Sequence, residues 1–267
     1  MAAATGMIVR ILKLGISLLV WSGDWAKTVV LRLAGRKPPG RAVILYYHAV
    51  PATERGRFAR QMDHLVKNAH PIPAGVVMPL EAGAAYAAVT FDDGFVSVLE
   101  NALPELRERR IPATLFVPSG WLGQPPGWIR NARSPARREC VMEAEQLRAA
   151  SRDGLEIGSH TVSHPWLDQL PPEEAFREIS RSKQELEAVL QTPVTALSFP
   201  HGVFTPAILE EARRLGYRRV FGIQPACIWG KLDGFCLGRV AVNPGDWPLE
   251  FALKLRGAYR WRARGPA

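Results

Sequence analysis

Short apolar runs recur along this chain at intervals that suit alternating strands and helices. The runs 42–47 (AVILYY), 87–91 (AAVTF), 113–117 (ATLFV), 155–158 (LEIG), 194–199 (VTALSF), 219–223 (RVFGI) and 237–242 (LGRVAV) read as strands. Between them the apolar spacing turns helical, at 58–69, 96–110 and 172–190. The last of these opens on Glu173 and Glu174, acids that suit a helix start. Such alternation predicts parallel β/α units. Seven of them suit an α/β fold closed into a distorted or incomplete (β/α)7-type barrel better than an open doubly wound sheet. No Gly-rich phosphate loop follows any strand, which argues against a dinucleotide enzyme.

In a barrel of this kind the chemistry gathers at the C-terminal ends of the strands. The unusual polar residues fall there: His48 after the first run, Asp92 and Asp93 after the second, His160 and His164 after the fourth, and Pro200-His201-Gly202 after the fifth.

Ahead of the first strand, 7–21 (MIVRILKLGISLLVW) is strongly apolar but carries Arg10 and Lys13. The uncharged run 14–23 is shorter than the ~20 residues a bilayer span needs, so a simple transmembrane helix is not expected. A signal peptide would have this basic start and short apolar core, yet WSGDWAK offers no small-x-small cleavage site. With Val29, Val30, Leu31 and Leu33 among Lys27, Arg32, Arg36 and Lys37, residues 7–37 read as one or two basic amphipathic helices on an anionic membrane face. A helix packed on the domain fits equally well. Pro38-Pro39-Gly40 marks the boundary, with 1–40 an N-terminal amphipathic appendage and 41–267 the catalytic body.

The length of 267 residues suits one domain of this type. A formal charge of +9 suits an anionic partner, whether nucleic acid, anionic lipid or an acidic polymer. The basic residues are scattered, with concentrations at 130–138 and 256–264 that read as solvated surface; they form no nucleic-acid motif, and no nucleic-acid partner is expected. Cys140, Cys227 and Cys236 show neither a metal spacing nor a disulfide framework, and Cys227 and Cys236 fit a bridge or two reduced thiols.

Asp92-Asp93-Gly94 taken alone reads as a turn. His160 and His164 stand four residues apart, a spacing that on a helical turn brings two imidazoles to one metal. A carboxylate from Asp92 or Asp93 would complete a three-ligand site with open positions, the arrangement of catalytic zinc. Together TFDDG (90–94), SHTVSHPWL (159–167) and SFPHG (198–202), preceded by ILYYHAV (44–50), resemble the polysaccharide deacetylases of the NodB-homology type, carbohydrate esterase family four.

That resemblance, over roughly 42–242, implies a metal-dependent N-deacetylase of a bacterial exopolysaccharide or envelope glycan. It implies Asp93, His160 and His164 as ligands of a divalent metal and Asp92 as the base that deprotonates metal-activated water. It also implies the His201 backbone N–H as the donor to the oxyanion. The Leu45-Tyr46-Tyr47-His48 segment resembles the branch acting on poly-N-acetylglucosamine, where this histidine is a candidate acid; a structural role for His48 is the alternative. Zinc suits the ligands best, and cobalt, nickel or manganese fit the same set. Phe199, Pro200 and Trp166 are candidates for the wall around the sugar, with Trp121, Trp128 and Trp247 as further stacking surfaces or core residues.

The sequence departs from the family where an arginine of the third motif orients the catalytic aspartate, because 198–201 contains none. Arg239 is a candidate replacement from a neighbouring strand, with a surface salt bridge as the alternative. No histidine follows His201, so the late motif that supplies the acid in other members has no counterpart. His64 and His70 read as surface residues. The resemblance implies an envelope location at the inner membrane and leaves the side open. It leaves peptidoglycan, chitin-like oligomers and lipid-linked sugars as rival substrates, and a silent glycan-binding module as a rival of another class.

Overall fold

A computed structural model describes residues 2–131 and 134–263. Ala132, Arg133 and Arg264, which belong to the two basic concentrations, lie outside the described residues. The main sheet contains β1 (Arg41–Tyr47), β2 (Ala85–Phe91), β3 (Ala113–Val117), β4 (Glu156–Ser159), β5 (Ala196–Ser198), β6 (Arg219–Phe221), β7 (Cys236–Leu237) and β8 (Val240–Ala241). Its main path runs β7-β6-β5-β4-β3-β2-β1-β8 with every neighbouring pair parallel, and two short strands join from the side, 70–71 parallel to β2 and 228–229 antiparallel to β1.

The expected last strand, 237–242, is split. Its first half pairs with β6 and its second with β1, so the single stretch 236–241 completes the ring. The switch occurs at Gly238, where an added Cβ would stand 2.1 Å from the Gln224 carbonyl oxygen. Only glycine permits that approach.

Side chains alternate across each strand, and the alternation sorts the apolar residues into two cores. Ala42, Ile44, Tyr86, Ala88, Phe116, Ala196 and Phe221 fill the barrel. Val43, Leu45, Ala87, Val89, Leu115, Leu197 and Val220 face the surrounding helices. Thr90 and Asp92 continue the inward-facing parity of Tyr86 and Ala88, which directs the Asp92 carboxylate into the mouth of the barrel.

The helical layer comprises α1 (Ala2–Leu33), α2 (Arg55–Asn68), α3 (Leu103–Glu108), α4 (Ala144–Arg152), α5 (Pro172–Leu190), α6 (Pro206–Arg214) and α7 (Pro248–Leu255). The helix expected over 96–110 instead begins with a π-helical stretch, Val98–Ala102, before α3. Pro104 accounts for the irregularity, because it has no N–H to give to the carbonyl one turn back.

The appendage takes one of the expected forms. It is one continuous helix, and Gly6–Leu33 is long and apolar enough by length and composition to cross a membrane. The helix is docked on the body: Arg10 pairs with Glu250, and Arg260 donates two hydrogen bonds of 2.8 Å to the Asp24 carboxylate.

Candidate active site

Strand ends β1, β2, β4 and β5 deliver His48, Asp92–Asp93, His160 and Pro200–His201 to one mouth of the barrel. Arg239 arrives there from the break in the closing strand. Its guanidinium is fully buried and forks onto Asp92, with Nη1 donating to Oδ1 at 2.7 Å and Nη2 to Oδ2 at 2.8 Å. The remaining donors go to the Thr90 hydroxyl, the Ser198 hydroxyl and the Gly222 carbonyl. The Tyr46, Phe116 and Phe221 rings surround the cation. Arg239 is thus the core of a buried network rather than half of a surface salt bridge. Burial by itself would raise the Asp92 pKa, but Arg239, aided by His160 and His48, outweighs it and holds the carboxyl down at about 2.

Asp93 leaves the strand in the left-handed region (φ 71°), which swings its carboxylate away from Asp92 and toward the histidines. Its Oδ1 lies 3.4 Å from His164 Nε2 and 3.6 Å from His160 Nε2, without hydrogen-bond geometry to either. Burial opposes ionisation of Asp93, and the His164, His48 and His160 imidazoles keep its pKa below the usual value.

The His160–His164 segment is a loop, not the helical turn that the spacing suggested. Thr161 and His164 both adopt positive φ (66° and 61°), and the loop rather than a helix face brings the rings together, with centroids 4.9 Å apart. Among the described residues, six non-glycine positions have positive φ, and Asp93, Thr161, His164 and His201 are four of them. Strain of this kind persists where surrounding contacts over-determine it.

Glu178 on α5 supplies such contacts. Its Oε2 accepts the N–H groups of Val162 and Ser163, each at 2.9 Å, and its Oε1 accepts the Ser163 hydroxyl. If the loop it clamps carries metal-ligating histidines, Glu178→Ala is expected to weaken divalent-metal binding by about 10–100-fold, read by calorimetric titration of the metal-free protein.

The donor set fits a divalent metal. One donor atom from each of Asp93, His160 and His164 lies within 4.8 Å of the others, and all three residues are buried. His160 Nδ1 lies 2.8 Å from the Ser198 carbonyl oxygen, which can only accept, so Nδ1 carries the proton and Nε2 presents its lone pair to the site. Burial lowers the His160 pKa to about 4, keeping the ring neutral as a ligand must be. Asp93 Oδ1, which faces both histidine Nε2 atoms, is buried without a hydrogen-bond partner, as an atom reserved for another ligand would be.

An aromatic wall backs this set. Trp128 stacks on His164 with centroids 4.8 Å apart, His164 meets His201 edge-on at 4.7 Å, and His201 stacks on Trp166 at 3.9 Å. Trp166 is half exposed, and with Tyr46, His201 and Arg262 it lines an adjoining cavity of about 430 Å³. Burial lowers the His201 pKa. His48 is exposed at the rim, 5.7 Å from Tyr46 between ring centroids.

Several sequence expectations are corrected here. Phe199 and Pro200 are buried, Phe199 stacking on Phe204 in the core, and neither presents a face to a sugar. His64 is half-buried against Phe251 rather than free on the surface. Trp247 lies under Arg10, away from the site. Sequence reasoning left Trp128 as an undifferentiated tryptophan and missed Glu178 and Ser198, whose roles depend on contacts 15 to 38 residues away.

Comparison with known proteins points one way. Residues 81–220 match the polysaccharide deacetylase family. The YxkH protein of Bacillus subtilis (strain 168), which carries a polysaccharide deacetylase name, is 25% identical over 232 residues, covering 83% of this chain and 75% of that one. Among solved structures, IcaB from Ammonifex degensii aligns with a TM-score of 0.67 at 26% identity, over 82% of this chain and 98% of that one. The Streptococcus pyogenes deacetylase PplD, solved in complex with acetate, aligns with a TM-score of 0.65 at 22% identity, over 81% and 99%, and shares the fold.

Proposed function

Because this chain belongs to the polysaccharide deacetylase family, we propose that it hydrolyses the N-acetyl groups of a bacterial exopolysaccharide or envelope glycan, releasing acetate. The observation that carries the reading is the meeting, at one barrel mouth, of an Arg239-held Asp92 carboxylate with the Asp93, His160 and His164 donors. A divalent cation on those donors, zinc by preference, would polarise the acetamide carbonyl and lower the pKa of water.

A carboxylate as acidic as Asp92 accepts a proton only from water acidified in that way, and Arg239 keeps it ionised and aimed. Asp92 takes the proton as the water oxygen bonds to the acetyl carbon. The His201 N–H donates to the carbonyl oxygen as that oxygen gains charge. His48 at the rim gives a proton to the sugar nitrogen as the C–N bond breaks, which leaves acetate and a free amine. Trp166, stacked on His201, offers its exposed face to the pyranose ring. The basic α1 segment suits association with the anionic surface of the inner membrane.

The test is acetate release from N-acetylglucosamine oligomers by purified protein. Activity should disappear with chelator and return with zinc. Metal binding without acetate release from β-1,4 or β-1,6 oligomers or from lipid-linked sugars would replace this reading with that of a glycan-binding module.

A further inference from the structure

The polarity of α1 is inverted relative to a helix on the surface of a soluble domain. Arg10, Ser17 and Asp24, spaced by seven, form one stripe, and that stripe faces the barrel. Arg10 Nε donates to Glu250 at 2.8 Å and its Nη2 to the Gly245 carbonyl. The Ser17 hydroxyl, fully buried, accepts the Trp261 indole N–H at 2.9 Å, and Asp24 holds Arg260. Leu14, Leu18 and Trp21 pack between these contacts. On the opposite side Ile8, Leu12, Leu19, Val30 and Leu33 are exposed, Leu19 by 75% and Leu33 by 84%. At 100° per residue all the charged residues of the helix fall on the barrel-facing half or its edges, and the outward half carries none.

We propose that α1 lies in the plane of an anionic bilayer with the barrel docked beneath its polar stripe, so that the helix holds the domain against the membrane without crossing it. This rests on the membrane association proposed above and specifies its geometry. The docked contacts from Arg10 to Asp24 extend about 21 Å along the helix axis. A helix crossing a hydrocarbon core of ~30 Å could keep them only by drawing the barrel into lipid. An in-plane helix keeps every contact, buries its apolar half among acyl chains and leaves its charged edges at the headgroups.

Charge selects lipid over a second copy of the chain as the cover for this face. With Arg10 and Asp24 paired to the barrel, the charges left along the edges and end of that face are Lys13, Lys27, Arg32, Arg36 and Lys37, all cations, which complement anionic headgroups and disfavour the close approach of a second such helix. The start of α1 touches the loop beyond β8, and its end leads back to the first residue of β1. The helix thus runs along the barrel from mouth to base, and with the helix in the membrane plane the mouth opens sideways along the bilayer surface.

The full-length protein should sediment with phosphatidylglycerol-containing vesicles and not with pure phosphatidylcholine, and Leu12→Asp/Leu19→Asp should release it while leaving acetate release from soluble oligomers unchanged. Lys13→Cys and Arg36→Cys, which the in-plane helix holds at headgroup level near its two ends, introduced singly in a background where Cys140, Cys227 and Cys236 are serine, should both react with an impermeant thiol reagent from the same side of the vesicle. Labelling of the two positions from opposite sides would overturn the in-plane geometry. Equal binding to neutral and anionic vesicles would overturn the charge argument. A concentration-dependent dimer that ignores vesicles would assign the face to a second copy. A protein that binds vesicles as described but releases no acetate would sink the hydrolase reading and leave this one standing.

Discussion

Arg239→Met is expected to cost about 3–5 kcal/mol of stability, because it leaves the Asp92 carboxylate buried without its countercharge. Arg239 is fully buried and Asp92 nearly so, and the guanidinium also satisfies Thr90, Ser198 and Gly222, so no solvent is at hand to replace it. Denaturant melts of the metal-free protein read this cost directly. The same variant should shift the acid limb of the pH–rate profile upward. Burial, which pushes the Asp92 pKa up, is now overcome by Arg239; with that opposition gone the carboxyl protonates at higher pH, and a protonated carboxyl cannot act as a base. Arg239→Lys retains the charge but not the fork and should fall between the two. A variant as stable as the parent, with an unmoved acid limb, would show that Arg239 does not hold the base.

The second large effect is expected at Asp92 itself. Asp92→Asn preserves the shape of the side chain but removes the basic oxygen, and should lower kcat by about 10²- to 10⁴-fold while zinc binding stays stoichiometric. The separation follows from geometry: Asp92 turns into the barrel toward Arg239, while Asp93 turns out of the strand toward His160 and His164. Wild-type turnover in the variant with metal bound would remove Asp92 from the proposed mechanism. Asp93→Asn, by contrast, should lose metal and activity together.

Much of this arrangement was legible in the sequence because strand ends announce themselves. A buried parallel strand is a continuous apolar run, and where the run stops on Asp, His or Pro-His the chain has reached the mouth of the barrel. The same logic identified Arg239 only through what 198–201 lacks; that its guanidinium would fork onto Asp92 in the barrel interior required the split at Gly238, which a run such as LGRVAV does not advertise. The His160–His164 spacing pointed to a pair that the structure does bring together, but by another route, since left-handed Thr161 and His164 do what a helical turn was expected to do. Glu178 was invisible because a glutamate on an amphipathic helix looks like any solvated glutamate until the loop it clamps is in place. Phe199 misled because its place beside the third motif suggested exposure, whereas strand parity turns it toward the helices.

The closing strand has one more implication. Each half of 236–241 pairs through only two residues, so the ring is fastened by a short latch, and Arg239 spans it like a crossbar from Gly222 and Ser198 on one flank to Thr90 on the other. If the latch swings open, the crossbar leaves with it and Asp92 loses its partner while the rest of the barrel still stands. Such a protein fails safe: a partly opened molecule is a disarmed hydrolase rather than a careless one, and hydrogen exchange at Leu237 and Val242 should track loss of turnover ahead of global melting.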